Sequence, residues 1–173
     1  MNGKPLLEIE DLVVEVAGKR LLDGIDMEIR EGEIHVVFGP NGSGKSSLIN
    51  TIMGLPPYRV THGEIRFRGE SLLDLPIYER AKLGVSLAFQ QSPAVNGVSL
   101  SALFKAMGIE SERIEELAKD LNMEGHLNRD INAGFSGGEM KRGEMLQLLA
   151  QKPELVLLDE PESGVDVDSI QLL

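Results

Sequence analysis

An α/β fold, in which a mixed sheet carries an antiparallel β layer and a helical insert, is predicted by three observations. Period-two alternation dominates the first third of the chain, short aliphatic runs stand at residues 34–38 and 155–158, and helical spacing takes over between them. The 173 residues are 42% apolar and hold no low-complexity tract, which suits one domain with a real core. The expected layout is a single domain over 1–173, with its core in about 1–91 and 151–173 and its helical insert in about 92–150.

Each element follows from its local pattern. LLEIEDLVVEV (6–16) and IDMEIR (25–30) alternate as half-exposed antiparallel strands do, with Ala17, Gly18 and Lys19 as the turn, and GEIRFRG (63–69) reads the same way. Ile34, His35, Val36, Val37 and Phe38 form a continuous run that predicts a buried parallel strand. VSLAFQ (85–90) is another strand. SLSALFKAMG and SERIEELAKDL then carry apolar residues at helical spacing, with Ser111 as the expected N-cap, and MKRGEMLQLLA continues in the same period. Leu155 to Leu158 is an unbroken aliphatic strand ended by Asp159-Glu160, while Pro56-Pro57 and Ser92-Pro93 mark turns.

The strand at 34–38 leads into Gly39, Pro40, Asn41, Gly42, Ser43, Gly44, Lys45, Ser46 and Ser47, which fit the phosphate-loop pattern G-x-x-x-x-G-K-[ST]. Glycines let the backbone curl so that successive N–H groups point inward, and a helix opening at Gly44, Lys45 and Ser46 aims its positive dipole end at the same anion. Lys45 is placed to reach the β and γ phosphates, and the Ser46 hydroxyl to ligate Mg²⁺. A glycine-rich surface turn with a solvated Lys is the competing reading of the loop taken alone. The fold this loop implies is a P-loop nucleoside triphosphatase.

Aliphatic residues followed by Asp159-Glu160 suit the second acidic motif of such enzymes: Asp159 for the Mg²⁺ shell and Glu160 to polarise the attacking water. Phe135-Ser136-Gly137-Gly138-Glu139 stands before a helix, so its glycines can offer N–H groups to a second phosphate held by another copy, or Ser136 can simply cap the helix. The absence of Cys excludes disulfides, thiolate metal sites and a thiol nucleophile on this chain. A net charge of −11 disfavours a nonspecific nucleic-acid footprint. No long apolar stretch suits a membrane span, and the opening MNGKPLLEIE lacks the basic and apolar regions of an export signal, so a cytoplasmic location is expected.

The order GPNGSGKSS, Gln90, FSGGE, LVLLDE and Ser163-Gly164-Val165-Asp166 resembles the ATP-binding cassette (ABC) family. That resemblance implies an ABC ATPase using ATP and Mg²⁺, in which two copies pack head to tail around two nucleotides. It implies that Gln90 contacts Mg²⁺ and senses the γ-phosphate, that Ser136, Gly137, Gly138 and Glu139 meet the partner copy's ATP, and that Asp166 couples the two sites. Catalysis would rest on Glu160, Gln90 and Lys45, with Ser46, Gln90 and Asp159 around the metal.

More specifically, EIHVVFGPNGSGKSS, LAFQQSPAVNGV and GFSGGEMKRGEMLQLLAQKPELVLLDEPESGVDVDS resemble the ATPases of iron–sulfur cluster assembly, the SufC family. Transporter cassettes usually carry Gln where Glu139 stands, and a different helix after it. The resemblance implies a soluble scaffold partner of the SufB/SufD kind, which would supply the thiolates this chain lacks, with docking around residues 90–108. The competing reading is the ATP-binding subunit of an ABC transporter. Val16 replaces the family's aromatic residue over adenine, forfeiting stacking worth about 0.5–1.5 kcal/mol. The sequence stops at Leu173, before the family's switch histidine, and His35 on the entering strand, His62 in a turn and His126 in the insert do not replace it. Residues 1–173 alone are therefore expected to be incomplete at the C-terminus and inactive.

Overall fold

A computed structural model describes residues 4–89 and 92–160 of the chain. Two compact units divide it, Met1–Leu87 and Ala88–Leu173. In the first, strands β1 (Leu7–Val16), β2 (Lys19–Ile29), β3 (Arg59–Phe67) and β4 (Glu70–Ser71) form an antiparallel sheet in the order β2-β1-β3-β4. The alternation produces this directly: Leu7, Ile9, Leu12 and Val14 are buried on the central strand, each contributing about 1.5–3 kcal/mol of apolar burial. Ala17 and Gly18 both take positive φ, 50° and 78°, and close the β1–β2 hairpin with the twist its strands require.

The β1–β3 ladder slips between Glu10 and Val13, where Asp11 adopts φ 44° and donates its N–H to Asp26 Oδ1 at 2.8 Å. Gly63 lies opposite with φ 84°, and a Cβ there would run into the Glu10 and Asp11 carbonyls, so only glycine fits the bulge. His62 belongs to β3, paired with Val13, and is not in a turn as its sequence neighbours imply. The unit also holds α1 (Lys45–Met53) and α2 (Ile77–Lys82); β5 (Val85–Ala88) runs across the boundary into the second unit.

The run expected to be a buried parallel strand is not one. Residues 33–40 join no ladder, and Ile34 and Phe38 are 91% and 89% exposed. An aliphatic run records a capacity for burial; a strand exists only where a neighbour supplies the hydrogen bonds. Similarly, β8 (Leu155–Leu158) is a strand, but only Leu155 and Leu157 are buried, while Val156 and Leu158 are exposed.

The second unit is mainly helical. It contains the antiparallel pair β6 (Val95–Ser99) and β7 (Asp130–Ile131), and helices α3 (Leu100–Ala106), α4 (Ser111–Asp120) and α5 (Gly137–Gln151), together with β8. Its core joins Leu100, Phe104, Ile114, Leu117, Met123, Phe135 and Leu146. Ile114, Leu117, Ala118 and Leu121 recur at helical spacing and are all buried, so the stripe read from the sequence is the packed face. The predicted cap at Ser111 is displaced: Ser111 is already helical and Glu110 occupies the N-cap without a side-chain bond. The working cap is Ser99, whose hydroxyl accepts from the Ala102 N–H at 3.2 Å on α3.

Candidate functional site

The loop 39–47 turns into α1 at Gly44, which caps the helix in the left-handed region at φ 98°. A Cβ at Gly44 would stand 2.7 Å from Leu22 Cδ2 and 3.2 Å from the Leu21 carbonyl, and one at Gly39 would stand 2.6 Å from Ser43 Oγ. At Gly44 the left-handed φ and the nearby Leu21 carbonyl both call for glycine, whereas a side chain at Gly39 would first have to displace the Ser43 hydroxyl. Helix α1 has no side-chain cap and no acidic residue in its first turn. Its Lys45 ammonium folds back onto the loop, donating to the Gly39 carbonyl at 2.9 Å and the Pro40 carbonyl at 3.1 Å. A positive dipole end beside an ammonium, with backbone rather than carboxylate partners, is an electrostatic setting that favours an anion.

Arg80, which the sequence reading passed over, supports this helix from its other end. Its buried guanidinium donates to the Thr51 carbonyl at 2.9 Å and the Ile52 carbonyl at 2.8 Å, and to the Leu75 carbonyl at 2.9 Å. A cation on the last carbonyls of a helix offsets both their lost hydrogen bonds and the dipole. The only sequence signal was an Arg inside a short mixed stretch, which burial alone distinguishes.

In the second unit, Ser136 caps α5 through a complete capping box. Its hydroxyl accepts from the Glu139 N–H at 3.3 Å, and Glu139 Oε2 accepts from the Ser136 N–H at 2.7 Å. The Ser136 backbone N–H is the main reason the Glu139 carboxyl is held below its ordinary pKa, with His126 adding to it. His126 Nε2 lies 3.1 Å from Glu139 Oε1, an ion-pair distance without hydrogen-bond alignment, and its ring meets Phe135 edge to face at 5.0 Å. The capping reading of Ser136 thus holds.

Two further residues were missed. Lys141 and Glu144 are 8% and 7% exposed on α5, with Nζ to Oε2 at 3.2 Å, and both reach the backbone of Phe89. Their i, i+3 spacing in line with Leu148 was visible in the sequence, but not that the face they share is packed.

Asp159 and Glu160 follow β8, with Glu160 at φ 48°. The chain bends at these two residues, and a non-glycine residue in that region is uncommon. Gln90 and Asp166 lie outside the described residues. Lys45 and Ser46 belong to the first unit, and Ser136, Gly138, Asp159 and Glu160 to the second. Among the described residues no three His, Cys, Asp or Glu cluster to hold a metal ion, and no helix is long and apolar enough to cross a membrane.

A phosphate loop opening an uncapped helix, with an acidic strand end, defines a nucleoside triphosphatase. The profile of the ABC transporter family matches residues 22–163, and the chain belongs to that family. It is 40% identical over 97% of its length to a protein of Cyanophora paradoxa described as a probable ATP-dependent transporter, spanning 71% of it. It is also 40% identical over 96% of its length to vegetative protein 296 of Bacillus subtilis, spanning 69% of that relative. Among solved structures, a nucleotide-free ATP-binding cassette from an ABC transporter superposes with a TM-score of 0.75 at 26% identity, over 97% of this chain and 74% of that one. A bacterial Atm1-family ABC exporter with ATP bound shares the fold, with a TM-score of 0.81 at 18% identity over 98% of this chain and 31% of its own. The chain is an ABC ATPase domain, of a family that binds ATP with Mg²⁺, hydrolyses it, dimerises and works with partner subunits. The glycine cradle and the Lys45 ammonium fit the phosphates of that nucleotide.

Proposed function

We propose that this chain is the ATPase of an iron–sulfur cluster assembly complex of the SUF type, acting in the cytoplasm as one ATPase domain. The observation that carries the nucleotide site is Lys45, held by two loop carbonyls at an uncapped helix start. Those carbonyls hold the ammonium where a β or γ phosphate would draw it, and Gly39 to Ser47 wrap the phosphates. Ser46, Asp159 and Gln90 would share the Mg²⁺ shell, which such sites complete with phosphate oxygens and water. Glu160 orients and deprotonates water for attack on the γ-phosphate. Ser136, Gly137, Gly138 and Glu139 face the nucleotide of a second copy, and Asp166 links the two sites.

The assembly role is supported by GEMKRGEMLQLL and ESGVDVD, which differ from the usual transporter pattern, and by the absence of Cys. A chain that cannot itself hold a cluster through thiolates would pass its dimerisation stroke to a SufB/SufD-like scaffold that can. The description of the Cyanophora relative favours the transporter reading instead. Affinity capture of the full-length protein from soluble and detergent-solubilised fractions separates the two. A Cys-containing soluble scaffold is the expected companion, and a polytopic membrane protein recovered alone overturns the assembly role.

A further inference from the structure

Helix α5 carries a buried device that none of the ATPase motifs requires. One oxygen of Glu144, Oε1, accepts from the Phe89 N–H at 2.6 Å and from the Ser92 hydroxyl at 2.7 Å. The other, Oε2, meets Lys141 Nζ at 3.2 Å, and the same ammonium donates to the Phe89 carbonyl at 2.6 Å. Both polar groups of Phe89 and the hydroxyl of Ser92 are therefore gripped by one ion pair, and those two residues bracket Gln90-Gln91 in the chain.

We propose that Glu144, with Lys141, is a positioning residue that staples Phe89 and Ser92, the residues flanking Gln90-Gln91 in sequence, to the helix behind Ser136. This rests on the reading of Gln90 as the Mg²⁺ and γ-phosphate contact. Charge-assisted bonds of this length are strong and directional, and a buried ion pair is costly unless its geometry is used. Here, among the described residues, it is used on Phe89 and Ser92. An apolar pair would pack the same helix face without gripping any backbone. Glu144 follows Gly137 by seven residues on a continuous helix, about 10 Å along its axis, so a displacement of the helix start is carried to Phe89 and Ser92 as a rigid-body shift. Whatever moves the glycines of 137–138 moves Phe89 and Ser92 with them.

Two double variants of the full-length protein isolate this role. K141M/E144L replaces the ion pair by apolar side chains and leaves no unpaired charge, so it folds but has no staple. K141M/E144Q is equally uncharged, yet its amide oxygen can still accept from Phe89 and Ser92. The expected result is that K141M/E144L loses about 10- to 100-fold in kcat and needs more Mg²⁺ for half-maximal rate, as displacement of a catalytic contact does, while its ATP Kd stays that of the parent. K141M/E144Q should recover most of both quantities at a similar melting temperature. Equal kcat and Mg²⁺ dependence in the two variants, whether both impaired or both intact, overturns the staple and leaves a purely structural pair. Q90A separates this from the reading beneath it. If Q90A itself leaves rate and Mg²⁺ dependence unchanged, the Gln90 assignment falls and the proposal with it. If Q90A is impaired and K141M/E144L is not, the staple alone falls.

Discussion

Helices α1 and α5 both begin at glycine-rich turns that read as phosphate sites, yet their first turns are electrostatic opposites. Helix α1 has a left-handed glycine cap, no acidic residue and a Lys at its first position, whereas α5 has Ser136 and Glu139 closing a complete capping box. A helix start with a cation added to its positive end gains stability from an arriving anion. A start already offset by a carboxylate stands complete without one. The difference teaches that α1 is open to an anionic partner, the role the proposed nucleotide would fill, whereas α5 is completed by its own sequence. Nucleotide binding should then couple to the stability of the first unit far more than to that of the second.

The largest effects test this division at the chemistry. Lys45→Ala removes the cation that meets the phosphates and should abolish ATP binding by calorimetry, together with the rise in melting temperature that ATP and Mg²⁺ give the parent protein. At 100 times Kd that rise corresponds to about 2.7 kcal/mol. Glu160→Gln should keep both binding and stabilisation while turnover falls about 100-fold or more, with an ATP-dependent doubling of mass in light scattering. Ordinary turnover in Glu160→Gln would remove that residue from the water-activating role. Undiminished ATP stabilisation in Lys45→Ala would break the contrast between the two helices.

A smaller effect concerns the far end of α1. Arg80→Met keeps the packing volume but leaves the Thr51 and Ile52 carbonyls without the donor that now holds them at 2.9 and 2.8 Å. Loss of about 1–3 kcal/mol is expected in denaturant unfolding, with ATP affinity falling alongside it because the loop and α1 share one backbone. Ser136→Ala should cost about 1 kcal/mol as a lost N-cap, with no change in ATP binding by the isolated chain. If Ser136→Ala weakened ATP binding in a dilute monomer, the assignment of that turn to a second copy's nucleotide would fail.

How far the sequence could be read depended on whether a signal was local. The β1–β2 hairpin, the buried stripe of α4 and the glycine turn into α1 followed from alternation, spacing and glycine placement, because neighbours in sequence decide them. The segment 34–38 did not, since no periodicity says whether another strand lies alongside. Arg80, Lys141 and Glu144 were missed for a related reason. Each is a charged residue whose partners are backbone groups, and the nearest of those partners on α1 is 28 residues away from Arg80, while Phe89 is 55 away from Glu144. A sequence shows that such a charge exists, but only the fold shows that it is dry. The cap of α4 was a finer miss: the helix begins one residue early, at Ser111 itself, so Glu110 takes the N-cap position without a side-chain bond.

The smallest expected effect concerns pH and the capping box of α5. Glu139 accepts the Ser136 N–H at 2.7 Å and faces His126, and both interactions favour the ionised carboxylate, so its pKa is lower in the folded protein than in the unfolded chain. A group shifted in this direction contributes stability that is fully present above the unfolded carboxylate value of about 4.3 and is lost as pH falls through the lower folded value. Glu139→Gln keeps an oxygen to accept the Ser136 N–H but has no proton to gain. Urea unfolding of the parent and the variant should therefore differ most near neutral pH, and the gap should narrow steadily as the solution is acidified below the usual carboxylate range. Because the carboxylate is partly solvated, solvent screening and added salt should shrink the neutral-pH gap further. A gap that instead stayed constant down to acid pH would mean that Gln fails at the cap for reasons of shape, and that the charge of Glu139 adds nothing to what its hydrogen bond already supplies.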